Sequence, residues 1–391
     1  MKNYYIVMEM NVLATSYEIE TFSQSSFYDY KENHKMDNRK LKVYFSIPQN
    51  GINSDTGIML LISGFGGKAV SSVYKKMRYE FSDEYNLVTI QCNYFGYEFM
   101  QMPEKTYVPD INEKEIKNIL SYDEVTKAYK NGAFNFNSFL DVAKNHKINI
   151  NVKADLSGES ISNFNDMGLL QAIDNITCVL SVMNILYDND LDFNSKKVII
   201  YGHSHGAYLA YLCNALAPTL FSLIIDNSAW LKPVYLSDDI CRTVTQKIGK
   251  LTLTTFFDYL AKRIIKDTEI LSLSYLYSKF ENKCNIISYH GANDNLISCR
   301  EKSYFCNGID NCIYNEISEE KIDNIVFKST NHGLSADFLK LFDFTMENFN
   351  IEFEKDNRID LLNEVSFITH KHKYIVDYNN VLPRIYIVDV K

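Results

Sequence analysis

Residues 198–210 read VIIYGHSHGAYLA: an apolar run climbs to Tyr201, Gly202-His203-Ser204-His205-Gly206 interrupts it, and small and apolar residues resume at once. The run before the interruption has strand length, and AYLAYLCNALA (207–217) after it reads as a helix that stops before Pro218. The pentapeptide is therefore a sharp strand-to-helix turn. Only 15 of 391 residues are glycine. Two of them flanking one serine indicate a turn that leaves no room for side chains.

Outward from this turn, from Lys42 onward, short β-type runs alternate with helical ones, the signature of an α/β sheet protein. KVYFSIP from Lys42, GIMLLIS (57–63), NLVTIQCNY (86–94), VIIYG (198–202), FSLIID (221–226), CNIISYHG (284–291) and NIVFKS (324–329) read as strands. Their near-continuous apolar character predicts a mostly parallel sheet with helices on both faces. SNFNDMGLLQAIDNITCVLSVMNILYDN (162–189) carries Met167, Leu170, Ile173, Leu180 and Met183 at helical spacing. The core is expected at about 42–100, 162–229 and 283–345, within a single domain spanning 1–391. Residues 101–161, polar and mixed, and 230–282, which look helical over 256–280, are read as inserted lid or cap segments. Residues 346–391 read as a β-rich tail.

Seven of the glycines fall in four stretches: SGFGG (63–67), GHSHG (202–206), HGAND (290–294) and NHG (331–333). Each follows an expected strand, so a parallel sheet would bring all four to its carboxyl edge, where such sheets bind ligands. A G-x-S-x-G turn between strand and helix exposes its serine as a nucleophile. A serine hydroxyl needs a general base, and the base needs an orienting acid. His332 and Asp294 supply them in the order Ser, Asp, His. Asp226 closes another expected strand and is the alternative acid. The oxyanion donors expected are the backbone N–H of His205, where the helix dipole assists, and that of Phe65, with Gly66 as its substitute.

These motifs resemble the α/β-hydrolase superfamily over roughly residues 42–345. SGFGGKA, CNYFGYE, NFNDMGLLQA and GHSHGAYLA with IIDNSAW further resemble an uncharacterised family from campylobacter-like bacteria, associated with flagellin-glycan loci. The superfamily resemblance implies acyl-ester, thioester or amide chemistry through a seryl intermediate. Many superfamily members carry His-Gly before the oxyanion residue, where this chain has Ser63-Gly64.

Composition narrows the partners. With 49 acidic and 40 basic residues the formal charge is −9, which repels nucleic acid and anionic membranes. The 46% hydrophobic and 23% charged content is that of an ordered globular chain. Eight cysteines without C-x-x-C or zinc-type spacing fit thiols in a reducing compartment. MKNYYIVMEMNVLATS lacks a long apolar h-region, because Glu9 interrupts it, and no run approaches a membrane span. A cytoplasmic protein is expected, without cofactor or metal. Alternating residues of a tight turn point apart, so His203 and His205 are not read as metal ligands: His205 is expected to line the site, and His203 to pack below the turn. His290 is read as structural, His370 and His372 as part of a solvated tail, and Trp230 as lining the pocket. The leading reading is a serine hydrolase acting on a small-molecule or glycan acyl ester. Acyl transfer to a hydroxyl acceptor is the first alternative, and a non-catalytic binding protein on the same fold the second.

Overall fold

The computed structural model describes residues 14–28, 38–102, 106–107, 118–380 and 382–390. The opening residues read above for a leader, and parts of the first insertion, lie outside the described residues. The chain divides into two compact units, one of residues 1–101, 161–233 and 265–391, the other of residues 102–160 and 234–264.

The first unit is built on an eight-stranded sheet: β1 (Thr15–Gln24), β2 (Asn38–Ile47), β3 (Gly57–Ile62), β4 (Leu87–Cys92), β5 (Val198–His203), β6 (Leu223–Asn227), β7 (Asn285–Gly291) and β8 (Cys312–Ile317). Its order is β1-β2-β4-β3-β5-β6-β7-β8. Only β2 runs against the rest, pairing antiparallel with both β1 and β4. Every residue of β3, β4 and β6 is buried, which is why these strands read as unbroken apolar runs. On one face Met59, Leu61, Ile199, Tyr201, Ile225 and Tyr289 pack with Tyr74, Met77 and Phe81 of α1 (Ser72–Tyr85) and with a helix at Phe338–Asn348. The other face is covered by α2 (Leu169–Asp188) and α3 (His205–Leu216), which pack on each other. By length and composition α2 could cross a membrane, but 78% of its apolar window is buried in this core. A strand order of this kind, with the sharp turn after β5, is the α/β-hydrolase fold. The tail forms a separate three-stranded antiparallel sheet, Glu364–Ile368, His372–Asp377 and Arg384–Asp389.

Three sequence expectations are corrected. NIVFKS (324–329) is not a strand, because Asp323 Oδ1 accepts the N–H groups of Ile325, Val326 and Phe327 at 2.8–2.9 Å and turns the chain. The strand after β7 is Cys312–Ile317 instead. The segment 230–282 is not mainly helical: Arg242–Ile248 and Leu251–Phe257 form an antiparallel hairpin, and LTLTTFF alternates buried and half-buried positions as a strand should. Farther on, Asp267 Oδ1 accepts from Glu269 N and Ser272 Oγ from Tyr275 N, each opening a new short turn where a continuous helix was expected. Residues 230–233 and 265–282 belong to the first unit, not to the insertion.

The second unit has a core of its own. Asn149–Ala154 runs parallel to Leu251–Phe257 and antiparallel to Thr106–Tyr107, giving a four-stranded sheet. Ile150, Val152, Leu251 and Leu253 pack with Leu120, Phe139 and Val142.

Candidate active site

Ser204 stands between β5 and α3 with φ 54° and ψ −117°, a conformation an L-residue adopts only under constraint. The constraint is close packing. A Cβ on Gly206 would lie 2.0 Å from the Ile62 carbonyl oxygen, so only glycine lets α3 start against the end of β3. Ser204 N–H donates to Asn227 O at 2.8 Å, fixing the turn to the end of β6.

Ser204 Oγ lies 2.7 Å from His332 Nε2, and His332 Nδ1 lies 2.8 Å from Asp294 Oδ2. An ionised carboxylate only accepts, so the imidazole proton sits on Nδ1 and Nε2 is left to accept from the serine hydroxyl. Asp294 Oδ1 accepts from Leu296 N at 2.8 Å. Burial alone would raise the Asp294 carboxyl, but the hydrogen bond and charge of His332, with the Leu296 amide, hold it below the usual carboxylate range. His290 contributes a further attraction to that carboxylate from 3.7 Å while donating to Ile297 O at 2.9 Å. The loops that carry Asp294 and His332 are also joined directly, by Asn293 N–H to Thr330 O at 2.9 Å.

Asp226, the alternative acid, faces elsewhere. Its Oδ2 accepts from Lys302 Nζ and Ser288 Oγ, both at 2.7 Å, and from Tyr211 OH at 2.9 Å, while Oδ1 takes the Ala229 N–H at 2.7 Å. Both members of the Asp226–Lys302 pair are wholly buried. Burial would raise the Asp226 carboxyl, but the Lys302 charge and these hydrogen bonds hold it below its ordinary value.

The SGFGG loop meets the turn edge-on: a Cβ on Gly64 would come within 2.7 Å of His203 O and 3.1 Å of Ser204 Cβ. Gly66 is corrected as an oxyanion donor, since its N–H already donates to Met100 O at 2.8 Å. Phe65, the donor expected from this loop, is half-buried. Tyr94 OH donates to Ser63 O at 3.3 Å and Gln101 Nε2 to Gly67 O at 3.2 Å, bracing the loop from behind. The His205 N–H opens α3, where no intrahelical acceptor exists.

The flanking histidines differ in environment. His205 is buried, not lining an open site, and its Nε2 lies 2.6 Å from Gln171 Oε1. The Gln171 amide nitrogen already donates to Phe95 O and Asn165 Oδ1, so the ring nitrogen is the donor. His203 packs on Phe338 with ring centroids 5.0 Å apart; burial, and then the neighbouring His332, push it down to about 4, so it is neutral near pH 7. Trp230, expected to line the pocket, is only 5% exposed and lies edge-on to His205 and Tyr208 at 5.4 and 5.9 Å. It supports the start of α3.

The sequence profile of one family, described as a protein of unknown function (DUF2920), matches residues 32–252, over half of the chain. The chain belongs to that family. The DUF2920 match takes in SGFGG, Ser204 and Asp226 and ends before Asp294 and His332. No curated protein matches the sequence. Among solved structures, this DUF2920 protein is similar to Est1E of Butyrivibrio proteoclasticus with ferulic acid bound, at 13% identity over 79% of this chain and 95% of that one, with a TM-score of 0.42. It is similar to Thermogutta terrifontis esterase 2 phosphonylated by sarin, at 11% identity over 83% and 93%, TM-score 0.39. A third is the peroxisomal α/β-hydrolase Lpx1 of Saccharomyces cerevisiae, at 11% identity over 90% and 94%, TM-score 0.45. The fold assignment stands on the strand order and the turn after β5, not on these likenesses.

Away from Ser204, Asp267, Glu269 and His370 of this DUF2920 chain place ligand-type atoms within 4.8 Å of one another. Their oxygens are engaged: Asp267 Oδ2 accepts from Thr369, His372 and Tyr374, and Glu269 Oε2 faces His370 Nδ1 at 2.6 Å. His370 is exposed, as expected of a solvated tail, although it also bonds Glu269; His372 is corrected, being half-buried against Asp267. Sequence reasoning missed Gln171, Ser228 and Lys302. A glutamine amid GLLQAI and the polar trio after FSLII were signals for the first two; nothing local marks Lys302.

Proposed function

We propose that the protein is a serine hydrolase that cleaves a small acyl ester, with a glycan ester the first physiological form to try. One observation carries the reading: a serine hydroxyl in a positive-φ strand-to-helix turn lies 2.7 Å from an imidazole nitrogen whose opposite nitrogen lies 2.8 Å from a buried carboxylate. In the proposed reaction Ser204 Oγ attacks the ester carbonyl carbon as His332 Nε2 takes its proton. The oxyanion is received by the N–H groups of His205 and Phe65; removing one such donor typically costs roughly 10²–10³ in turnover. As the carbonyl re-forms, the C–O bond to the alcohol breaks and His332 protonates the leaving oxygen. Water then attacks the acyl-serine with His332 again as base, releasing the acid and restoring the hydroxyl. Asp294 stays ionised throughout and stabilises the imidazolium.

Intact-mass measurement after fluorophosphonate treatment tests the nucleophile. The native protein should gain one adduct and Ser204→Ala none; labelling of the alanine variant would remove Ser204 from the reaction. Incubating the labelling-competent protein with an acetyl ester and a sugar acceptor separates hydrolysis from transfer. Acetate as the product supports the hydrolase, whereas acetylated sugar moves the same acyl-enzyme to the transferase reading.

A further inference from the structure

The end of β6 and the turn it leads into, Asp226-Asn227-Ser228-Ala229, are fully buried although three of these residues are polar. Asn227 and Ser228 bond to the two segments that carry the proposed nucleophile and base. Asn227 O accepts the Ser204 N–H at 2.8 Å, and Ser228 Oγ accepts the N–H of Gly333, the residue after His332, at 3.0 Å. Asn227 Nδ2 points to Gly333 O at 3.5 Å, and the Ser228 hydroxyl proton goes to Asn227 Oδ1 at 3.1 Å. Ser228 N–H donates to Tyr289 O of β7 at 2.9 Å, and the Asp226–Lys302 pair anchors the base of the turn.

The loop being held is a strained one. Gly333, Leu334 and Ser335 have φ of 76°, 60° and 45°, and Ser228 itself 63°. Consecutive left-handed residues, two of them not glycine, persist only where surrounding bonds over-determine them. The Ser228 hydroxyl supplies such a bond one residue from the imidazole. We propose that Ser228 is a positioning residue: its hydroxyl ties the His332 loop to the turn that holds Ser204, and so sets the approach of the two reacting side chains. This rests on the serine-hydrolase reading and adds to it a group that touches no substrate.

Loss of the bond should misplace the base, and a misplaced base matters most when the leaving group needs a proton. Phenyl acetate needs His332 as acid more than para-nitrophenyl acetate does, whereas a reduced folded fraction lowers both rates equally. Ser228→Ala should lower kcat/KM for phenyl acetate by roughly 10- to 100-fold, with KM little changed. The loss for the nitrophenyl ester should be at least about fivefold smaller. Ser228→Gly removes the same oxygen while relieving the positive φ, so it should reproduce the ester ratio and serves if the alanine variant folds poorly. Ser288→Ala, which deletes an equally buried hydroxyl bonded to Asp226 but not to the His332 loop, should leave the ratio at its native value. Equal losses on both esters, or native kcat/KM in either Ser228 variant, overturn the proposal. Absence of Ser204 labelling in the native protein would instead sink the hydrolase reading itself, and this inference with it.

Discussion

At Asp294 and Asp226 two buried carboxylates close neighbouring stretches of the same sheet edge, and their partners separate their roles. Asp294 has the imidazole of His332 on one oxygen and backbone amides on the other. Asp226 has a buried ammonium and two hydroxyls on one oxygen and the Ala229 amide on the other, while the His332 ring bonds Ser204 and Asp294. Asp294→Asn should therefore leave the fold intact but cut kcat by roughly 10³–10⁴, because the amide no longer selects the Nδ1–H tautomer. Asp226→Asn strands Lys302 without a counter-charge and should cost about 3–5 kcal/mol of stability in denaturant melts. Activity per folded molecule in that variant should fall far less than in Asp294→Asn, since Asp226 does not set the His332 tautomer. A larger loss of turnover at Asp226 than at Asp294 would reverse the assignment. Both carboxylates stand in the sequence after apolar runs with similar neighbours. What distinguishes them is Lys302, 76 positions beyond Asp226, which no local pattern points to.

Among the elements, β3 to β7 are legible because both faces are buried and their apolar runs are unbroken. The four glycine-bearing turns are legible because close backbone approach excludes side chains. β8 is not, since an edge strand with the half-exposed pattern of CIYNEI has no continuous apolar signature. NIVFKS has that signature and is still a loop, because a single carboxylate, Asp323, outcompetes the sheet for three amides. The start of α2 holds a similar acceptor that sequence does not price: Asp166 takes the Leu170 N–H at 2.8 Å and the Tyr28 hydroxyl at 3.2 Å while wholly buried. Burial pushes its carboxyl from near 3.8 up to about 7, outweighing the hydrogen bonds from Leu170, Gly168 and Tyr28. The folded state thus holds this proton more tightly than the unfolded chain. Its contribution to stability is complete below pH 3.8 and is lost as pH rises to about 7. Asp166→Asn, isosteric and uncharged, should gain stability on the native protein between about pH 5 and about pH 7.5 in urea melts. A difference that stays flat across that window would show that Asp166 is ionised in the fold.

On the scale of the whole molecule, the two compact units differ in how the chain builds them. The second is assembled from two segments far apart in sequence, 102–160 and 234–264, and neither has a complete core alone. Asn149–Ala154 pairs with Leu251–Phe257, and Ile150 and Val152 share their cluster with Leu251 and Leu253. Replacing 234–264 alone by a short linker removes half of that sheet and exposes the apolar side of Asn149–Ala154, so this single deletion should aggregate or bind a hydrophobic dye. Replacing both segments together removes the unit whole. The first unit then keeps its eight-stranded sheet, the helices that cover it and the Ser204, Asp294 and His332 segments, and should fold and react with fluorophosphonate at Ser204. The cut must stop at 264. Leu271 and Leu273 are fully buried in the first unit, with Leu271 O accepting the Tyr208 hydroxyl and Leu273 N–H donating to Leu231 O. A deletion running to 278 should therefore lose labelling and cooperative unfolding together. If the double deletion is soluble and melts cooperatively yet fails to label, reactivity at Ser204 depends on the second unit and not on the first alone.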